Sequence, residues 1–304
     1  MALSGVFIGE GTLLVRCAEV FVDAGQRVPV VVSSNRVIRD WADDRQIPHV
    51  TADADLVPLL VAAPPDYLFS VANTAIIKEE VLRLPRQMAI NFHDALLPRY
   101  AGVHATSWAL INRETSHGVT WHEMLASADR GRILKQRAFE IAPGETAVSL
   151  NARCYEAGIE SFAELVDDLS TDRLMPCEQQ FEERMYFASE KRPRAACTIS
   201  WDRPAEDTAA LIAALMFGPT DNPLGLPKVE LGVGTVLACE GSVLHTRSDA
   251  APGTVIGIDR EVVQVATTTY DLALGGFQTL DGQPLPFMSS PSASKSALAR
   301  ACHV

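Results

Sequence analysis

Gly5-Val-Phe-Ile-Gly-Glu-Gly11 is the stretch that decides the fold, because it joins a short apolar run to two closely spaced glycines. Such a run predicts a buried strand that ends in a tight turn, and the apolar pattern over 13–24 predicts an amphipathic helix after it. Further apolar runs at 28–32, 66–71 and 88–93 alternate with helical patterns. Strands that alternate with helices indicate βαβ units. We therefore predict an α/β fold with a Rossmann-like parallel sheet.

The second half of the chain has a different pattern. A long helical pattern over 147–169 is followed by a polar, irregular stretch and then by short apolar runs separated by Gly, Asp and Pro. This spacing predicts a small β-rich domain, an OB-like barrel that is partly open. The predicted parts are an N-terminal catalytic domain over 1–171, a linker over 172–194, a C-terminal β-barrel-like domain over 195–287 and a flexible tail over 288–304.

Composition and charge narrow the class of protein. The chain has 304 residues and a formal net charge of -12, and its 26 basic residues are scattered. Because nucleic-acid binding depends on clustered Lys and Arg, we expect no nucleic-acid partner. Six cysteines without metal-ligand spacing indicate reduced thiols and no metal site. Charges interrupt the apolar start, so we expect neither a signal peptide nor a membrane span, and a cytoplasmic protein.

The glycines at Gly9 and Gly11 also occur in dinucleotide-binding turns. Such a turn needs a third glycine at the helix start and an acidic residue at the end of the second strand. The third glycine is missing, because Arg16 and its neighbours offer none, and no acidic residue stands at Val32, where the second strand is expected to end. A plain strand-to-helix turn is the better interpretation, and no NAD is predicted.

The residues that suggest chemistry begin at Asn91-Phe-His93, at the carboxyl end of a predicted strand. Residues two apart on a strand point to the same face, and in open α/β sheets ligands bind beyond the carboxyl ends of the strands. An amide can donate to a developing oxyanion, and an imidazole can transfer a proton, so the pair suits acyl transfer. Asp129 is the candidate carboxylate. His122, on a predicted strand, is interpreted as a packed, hydrogen-bonded histidine.

These residues resemble the folate-dependent formyltransferases. The family pattern appears as Asn91-Phe-His93, Ala95-Leu-Leu-Pro98 with Gly102, Gly118-Val-Thr120 and Asp129-Arg-Gly131, and the spacing from His93 to Asp129 also matches. The resemblance implies a formyl donor of the 10-formyltetrahydrofolate type and no metal. It implies that Asn91 polarises the formyl oxygen, His93 stabilises the tetrahedral intermediate, and Asp129 orients the histidine and takes up the amine proton.

The resemblance also implies two sets of binding residues. The set expected to bind the donor is Ser70, Asn73, Ala75, Ile76, Ile77, Leu97, Leu125, Ala126, Ser127 and Ala128. The set expected to contact the acceptor is Pro98, Arg99, Tyr100 and His104. In the second half, Ile199-Ser-Trp201 and Ala251-Pro-Gly-Thr-Val255 resemble the C-terminal barrel of methionyl-tRNA formyltransferases.

The acceptor is less well defined, because Asp94, Ala95 and the segment 103–108 depart from the usual pattern. That segment is most similar to formyltransferase-like proteins and starter domains of nonribosomal peptide or polyketide assembly lines. The predicted acceptor is therefore a small-molecule amine, such as an amino acid, or an aminoacyl group on a carrier protein. The alternatives are a methionyl-tRNA or sugar-amine formyltransferase, a formyl-folate hydrolase and a non-catalytic docking domain. The oligomeric state stays open.

Overall fold

The computed structural model describes residues 2–218, 222–231, 234–259 and 261–285. These residues form two units. The first consists of residues up to 105 together with 116–140 and 151–187, and the second consists of 106–115, 141–150 and the described residues from 188 onward. The predicted tail over 288–304 lies outside the described residues.

Among the described residues before 188 there are nine strands, six α-helices and one short 3-10 helix (Phe181–Glu183). The strands are β1 (Gly5–Ile8), β2 (Val31–Val32), β3 (His49–Val50), β4 (Tyr67–Ser70), β5 (Met88–His93), β6 (Ala101–Gly102), β7 (Ser116–Glu123), β8 (Ile133–Glu140) and β9 (Tyr186–Phe187). The helices are α1 (Thr12–Asp23), α2 (Arg36–Asp44), α3 (Leu56–Ala62), α4 (Glu79–Leu82), α5 (Ala105–Ile111) and α6 (Ala147–Ser170).

Seven of these strands form one sheet in the order β3-β2-β1-β4-β5-β7-β8. The first five are parallel, which confirms the predicted Rossmann-like sheet. The last two differ from the prediction, because β7 is antiparallel to both β5 and β8. Parallel neighbours need a crossover of a dozen or more residues. The loop over 124–132 between β7 and β8 is too short for one, so the chain turns back beside itself.

An aromatic core supports this sheet. The ring centroids of Phe7 and Phe69 are 4.9 Å apart, and those of Trp121 and Phe162 are 4.8 Å apart. Helix α1 adds Phe21, whose ring contacts those of Phe7 and Phe69 edge to face. Burying such rings removes a large apolar area from water, so it holds the strands rigidly in place. The carboxyl ends of β4 and β5 are thereby fixed side by side.

The second unit contains a helix and an antiparallel sheet, as the β-rich prediction requires. Its helix and strands after residue 188 are α7 (Ala205–Leu215), β10 (Lys228–Leu231), β11 (Gly234–Val243), β12 (Val255–Asp259), β13 (Val262–Val265) and β14 (Leu272–Gln278). The strand order is β10-β11-β14-β13-β12. Helix α7 packs on this sheet, where Ile212 lies so close to Gly241 that a side chain there would meet it at 2.6 Å. Within the described residues, β10 and β12 are the outermost strands of this sheet, and Lys228 of β10 also forms an isolated parallel bridge with Thr198.

Candidate active site

Strand β5 carries two of the predicted catalytic residues on one face. His93 is buried and Asn91 is half-buried. On one side, Ser70 at the end of β4 lies in register with Asn91. On the other side, His122 of β7 lies in register with Asn91, and Thr120 with His93. Because side chains alternate along a strand, these partners face the same side of the sheet as the two β5 residues.

Hydrogen bonding determines which atom of His93 is available for chemistry. Its Nε2 lies 2.9 Å from the carbonyl oxygen of Tyr100. A carbonyl can only accept, so Nε2 carries a proton and donates it. The other ring nitrogen, Nδ1, lies 3.9 Å from Oδ1 of Asp129. Nδ1 is therefore the ring nitrogen that faces the carboxylate.

Asp129 lies in the β7–β8 loop with only 11% of its side chain exposed. Its Oδ2 accepts a 2.7 Å hydrogen bond from the amide of Gly102, and its Oδ1 lies 3.5 Å from Nε2 of His122. Burial acts to raise the pKa of Asp129. The hydrogen bond from His122, the charges of both imidazoles and the Gly102 amide outweigh burial and hold that pKa well below its usual range. The carboxylate is therefore ionised at neutral pH.

His122 is the member of this cluster to which the sequence interpretation gave no catalytic role. It is buried and hydrogen-bonded as expected, but its partners belong to the predicted catalytic set. The Nε2 atom lies 3.2 Å from Nδ2 of Asn91, and Nδ1 donates to the carbonyl of Glu123 over 2.9 Å. The residue was recognisable only as a polar side chain on an apolar strand. Its proximity to Asn91 depends on the register of an antiparallel pair, which a single sequence does not specify.

Two further polar side chains shape the loop after β5: Thr120, which the sequence showed only as part of the family pattern, and Gln136, which it did not single out. The hydroxyl of Thr120 donates to the Ala95 carbonyl over 2.6 Å and accepts from the Leu97 amide over 3.1 Å. Nε2 of Gln136 donates to the Leu97 carbonyl over 2.9 Å. These bonds fix the loop that carries the predicted acceptor contacts. Of those contacts, Pro98 and Tyr100 are buried, Arg99 is exposed and His104 is half-buried.

The predicted donor-binding residues lie in three places. Ser70 is buried at the end of β4, and Leu97 is buried in the loop after β5. The side chain of Asn73 stabilises the loop in which it lies. Its Nδ2 donates to the Ala75 carbonyl over 3.1 Å, and its Oδ1 accepts from the Ala75 backbone amide over the same distance. Ile77 is half-buried, and the remaining ones are exposed: Ala75, Ile76, Leu125, Ala126, Ser127 and Ala128.

Two of these exposed side chains are large and apolar, since Ile76 is 97% and Leu125 is 49% exposed. They lie in the loops that follow β4 and β7, the two strands that flank β5. Exposed apolar side chains near polar groups are typical of ligand-binding surfaces. Across the described ranges, no three His, Cys, Asp or Glu side chains are grouped as metal ligands would be.

An amide donor, two imidazoles and an ionised carboxylate at the carboxyl end of a parallel sheet define the site as one suited to acyl-type group transfer.

A family model described as "Formyl transferase" matches residues 27–166. The methionyl-tRNA formyltransferase of Clostridium tetani is 29% identical over 77% of this chain and 73% of its own length. The corresponding protein of Clostridium beijerinckii is 28% identical over the same shares.

Solved structures agree on the fold. WlaRD, a sugar 3N-formyltransferase, has a TM-score of 0.69 at 16% identity and covers 90% of this chain and 98% of its own. An N-formyltransferase from Helicobacter canadensis has a TM-score of 0.70 at 16% identity, with 90% and 99% coverage. These matches support a folate-dependent formyltransferase family for the chain, and the family model itself covers residues 27–166. Every described helix is too short or too polar to cross a membrane.

Proposed function

We propose that this formyltransferase moves a formyl group from 10-formyltetrahydrofolate to the primary amine of an amino acid or of a carrier-bound aminoacyl group. The observation that carries the proposal is the cluster of Asn91, His93, His122 and Asp129. The donor assignment is supported by similar proteins whose structures contain 5-N-formyl-THF, folinic acid or tetrahydrofolic acid. The exposed Ile76 and Leu125 suit the apolar faces of a folate ring.

The geometry supports a division of roles among these side chains. The amide of Asn91 can donate a hydrogen bond to the formyl oxygen, which becomes negative as the amine attacks the formyl carbon. Nδ1 of His93 can accept the proton that the amine loses, because Nε2 already holds a proton against the Tyr100 carbonyl. The new carbon–nitrogen bond forms and the bond to N10 of the donor breaks. The imidazolium then returns its proton to that leaving nitrogen.

Asp129 is better suited to one of its two predicted roles than to the other. A carboxylate with a lowered pKa is a weak base, so it is a poor final acceptor for the amine proton. The same negative charge, close to both imidazoles, stabilises the protonated form of His93. We therefore assign Asp129 to orientation and charge stabilisation, and we assign the proton transfer to His93.

Two features support the amino acid or aminoacyl acceptor. The loop segments at 94–95 and 103–108 depart from the usual family pattern, and the chain is acidic, with a net charge of -12. An acidic protein attracts a polyanion such as tRNA poorly. The second candidate is methionyl-tRNA, because the two curated relatives compared above carry that activity in their names. Amino-sugar nucleotides are the third acceptor class to be tested. The two enzymes of similar fold described above are a sugar 3N-formyltransferase and an N-formyltransferase in complex with dTDP-3-aminofucose.

A direct assay separates these acceptors. The purified protein is incubated with 10-formyltetrahydrofolate and one of three acceptor classes: amino acids and aminoacyl-phosphopantetheine thioesters, dTDP-amino sugars, or methionyl-tRNA. Release of tetrahydrofolate and formylation of the acceptor are followed together, and a reaction without amine measures hydrolysis. We expect formylation in the first arm. Formylation of tRNA or sugar alone contradicts the acceptor, equal turnover without amine indicates a hydrolase, and no turnover in any arm contradicts the whole proposal.

A further inference from the structure

The segment over 177–187, here called the clamp segment, follows α6 and belongs to the first unit. Its start is joined to β8 by two backbone hydrogen bonds of 2.8 Å between Cys177 and Ile133. Its end is β9, which pairs in parallel with β6. Both ends are therefore fixed by backbone pairing, so the side chains between them are held in defined positions.

Two of those side chains donate hydrogen bonds to the loop that carries Asp129. Nε2 of Gln179 donates to the carbonyls of Asp129 over 3.0 Å and Gly131 over 2.7 Å. The guanidinium of Arg184 donates to the carbonyls of Asp129 over 3.0 Å and Ala128 over 3.3 Å. Gln179 is only 6% exposed. The Asp129 carbonyl thus accepts from two different side chains.

The same segment also holds the loop on the other side of the carboxylate. The amide of Ala101 donates to the Met185 carbonyl over 2.8 Å, and the amide of Val103 donates to the Phe187 carbonyl over 3.0 Å. Tyr100, whose carbonyl accepts from His93, comes directly before Ala101 in the chain. Gly102, whose amide donates to Asp129, lies between Ala101 and Val103. One segment therefore sets the position of both loops that contact the reacting groups.

Asp129 needs such support because its backbone is strained. Its φ angle is +53°, in the left-handed region that few non-glycine residues occupy. A residue stays in such a conformation only when the surrounding structure imposes it. Gly131 is also confined, since a Cβ there would lie 1.8 Å from the Glu123 carbonyl oxygen. Gln179 and Arg184 donate to the carbonyls of this strained turn.

We propose that Gln179 and Arg184 are positioning residues, which hold the Asp129 backbone so that its carboxylate stays between His93 and His122. This inference rests on the proposed transfer reaction. It predicts that loss of either side chain lowers the rate of the chemical step, because the carboxylate moves. Among the described residues, the Gln179 amide nitrogen bonds only to the Asp129 and Gly131 carbonyls, so its loss should keep donor binding. Arg184 also holds the carbonyl of Ala128, a predicted donor-binding residue, so its loss should weaken donor binding as well.

The test uses Gln179→Glu and Arg184→Lys, with matched controls in the same region. The control for Gln179→Glu is Gln180→Glu, at the exposed neighbouring residue. The control for Arg184→Lys is Arg173→Lys, at an arginine that pairs with Asp167. We expect kcat to fall about 10- to 100-fold in the two clamp variants, as misplacement of a reacting group does. The KM for 10-formyltetrahydrofolate should stay within about 3-fold in Gln179→Glu, and both controls should match wild type.

A double-mutant cycle separates positioning from general damage. In an Asp129→Asn background, Gln179→Glu should cause little further loss of kcat, because the group that it positions is already gone. Equal losses in both backgrounds would contradict the inference. If a thermal unfolding experiment shows that Gln179→Glu is not folded, the kcat values of Gln179→Met and Arg184→Lys test the inference instead.

Two failures are distinguishable. An inactive wild type removes the proposed function itself. An active wild type together with clamp variants that keep full kcat removes this inference alone.

Discussion

Two largely buried aspartates, one in each unit, show how similar burial leads to different chemistry. Asp129 in the first unit faces two imidazoles and one backbone amide. Asp271 in the second unit is 4% exposed and accepts from the hydroxyls of Ser248 over 2.8 Å and Thr246 over 3.5 Å. Its own amide donates to the Thr246 carbonyl over 2.7 Å.

The difference lies in the partners. Hydroxyl groups satisfy a buried carboxylate with donors that do not change charge near neutral pH. Imidazoles do change charge in that range, so a carboxylate beside them controls where a proton resides. Burial marks both aspartates, and it is therefore a poor guide to catalysis by itself. The titratable side chains that face a carboxylate identify a reactive site better.

Replacing each aspartate by asparagine gives the largest expected effect. Asp129→Asn should lower kcat about 10³-fold, because the charge that stabilises the imidazolium is lost. Asp271→Asn should lower the free energy of unfolding by about 1–3 kcal/mol while kcat per folded molecule stays unchanged. Initial rates and urea unfolding of both variants measure this. A similar loss of kcat in both would show that the comparison does not distinguish catalysis from folding.

Replacing one of two buried histidines on β7 should have an intermediate effect. His122→Gln removes the imidazole next to Asn91 and Asp129, and we expect kcat to fall about 10- to 100-fold. His117→Gln is the matched control, since His117 lies on the same strand and its Nε2 donates to the Asp94 carbonyl over 2.8 Å. It should change kcat less than about 3-fold. Steady-state kinetics decide, and equal effects would mean that His122 only packs the strand.

The smallest expected effect is on stability at acid pH. The pKa of Asp129 is lowered in the folded protein, so the unfolded chain binds a proton more readily at that position. Its contribution is present in full above the ordinary carboxyl pKa of about 3.9 and is lost as the pH falls below it. The difference in unfolding free energy between wild type and Asp129→Asn, about 1–3 kcal/mol at pH 7, should therefore shrink toward pH 3.

Urea unfolding between pH 7 and pH 3 measures this difference. Asp44→Asn, at an exposed position in α2, is the control and should show no comparable change. If the difference between wild type and Asp129→Asn grew toward acid pH, the carboxylate would not be ionised and paired as described.

The order of the elements could be predicted from local patterns. The strand at Gly5–Ile8, the helix after it and the long helix Ala147–Ser170 all follow from the period of their apolar residues. The spacing from Asn91 through His93 to Asp129 led to the family, which the comparisons confirm. The binding residues and the acceptor stay predictions, because they depend on loops whose conformation has no periodic pattern.

The sequence by itself determined the α/β order of the chain, its resemblance to the formyltransferases and the three residues at the centre of the proposed chemistry. These are properties of nearby residues and of side-chain type, and they need no knowledge of distant contacts. Only the tertiary structure decided that β7 returns antiparallel, that His122 therefore lies beside Asn91, and that Gln179 and Arg184 hold Asp129. Each of these contacts joins residues far apart in the chain, and strand register and loop closure, which a local pattern does not encode, bring them together.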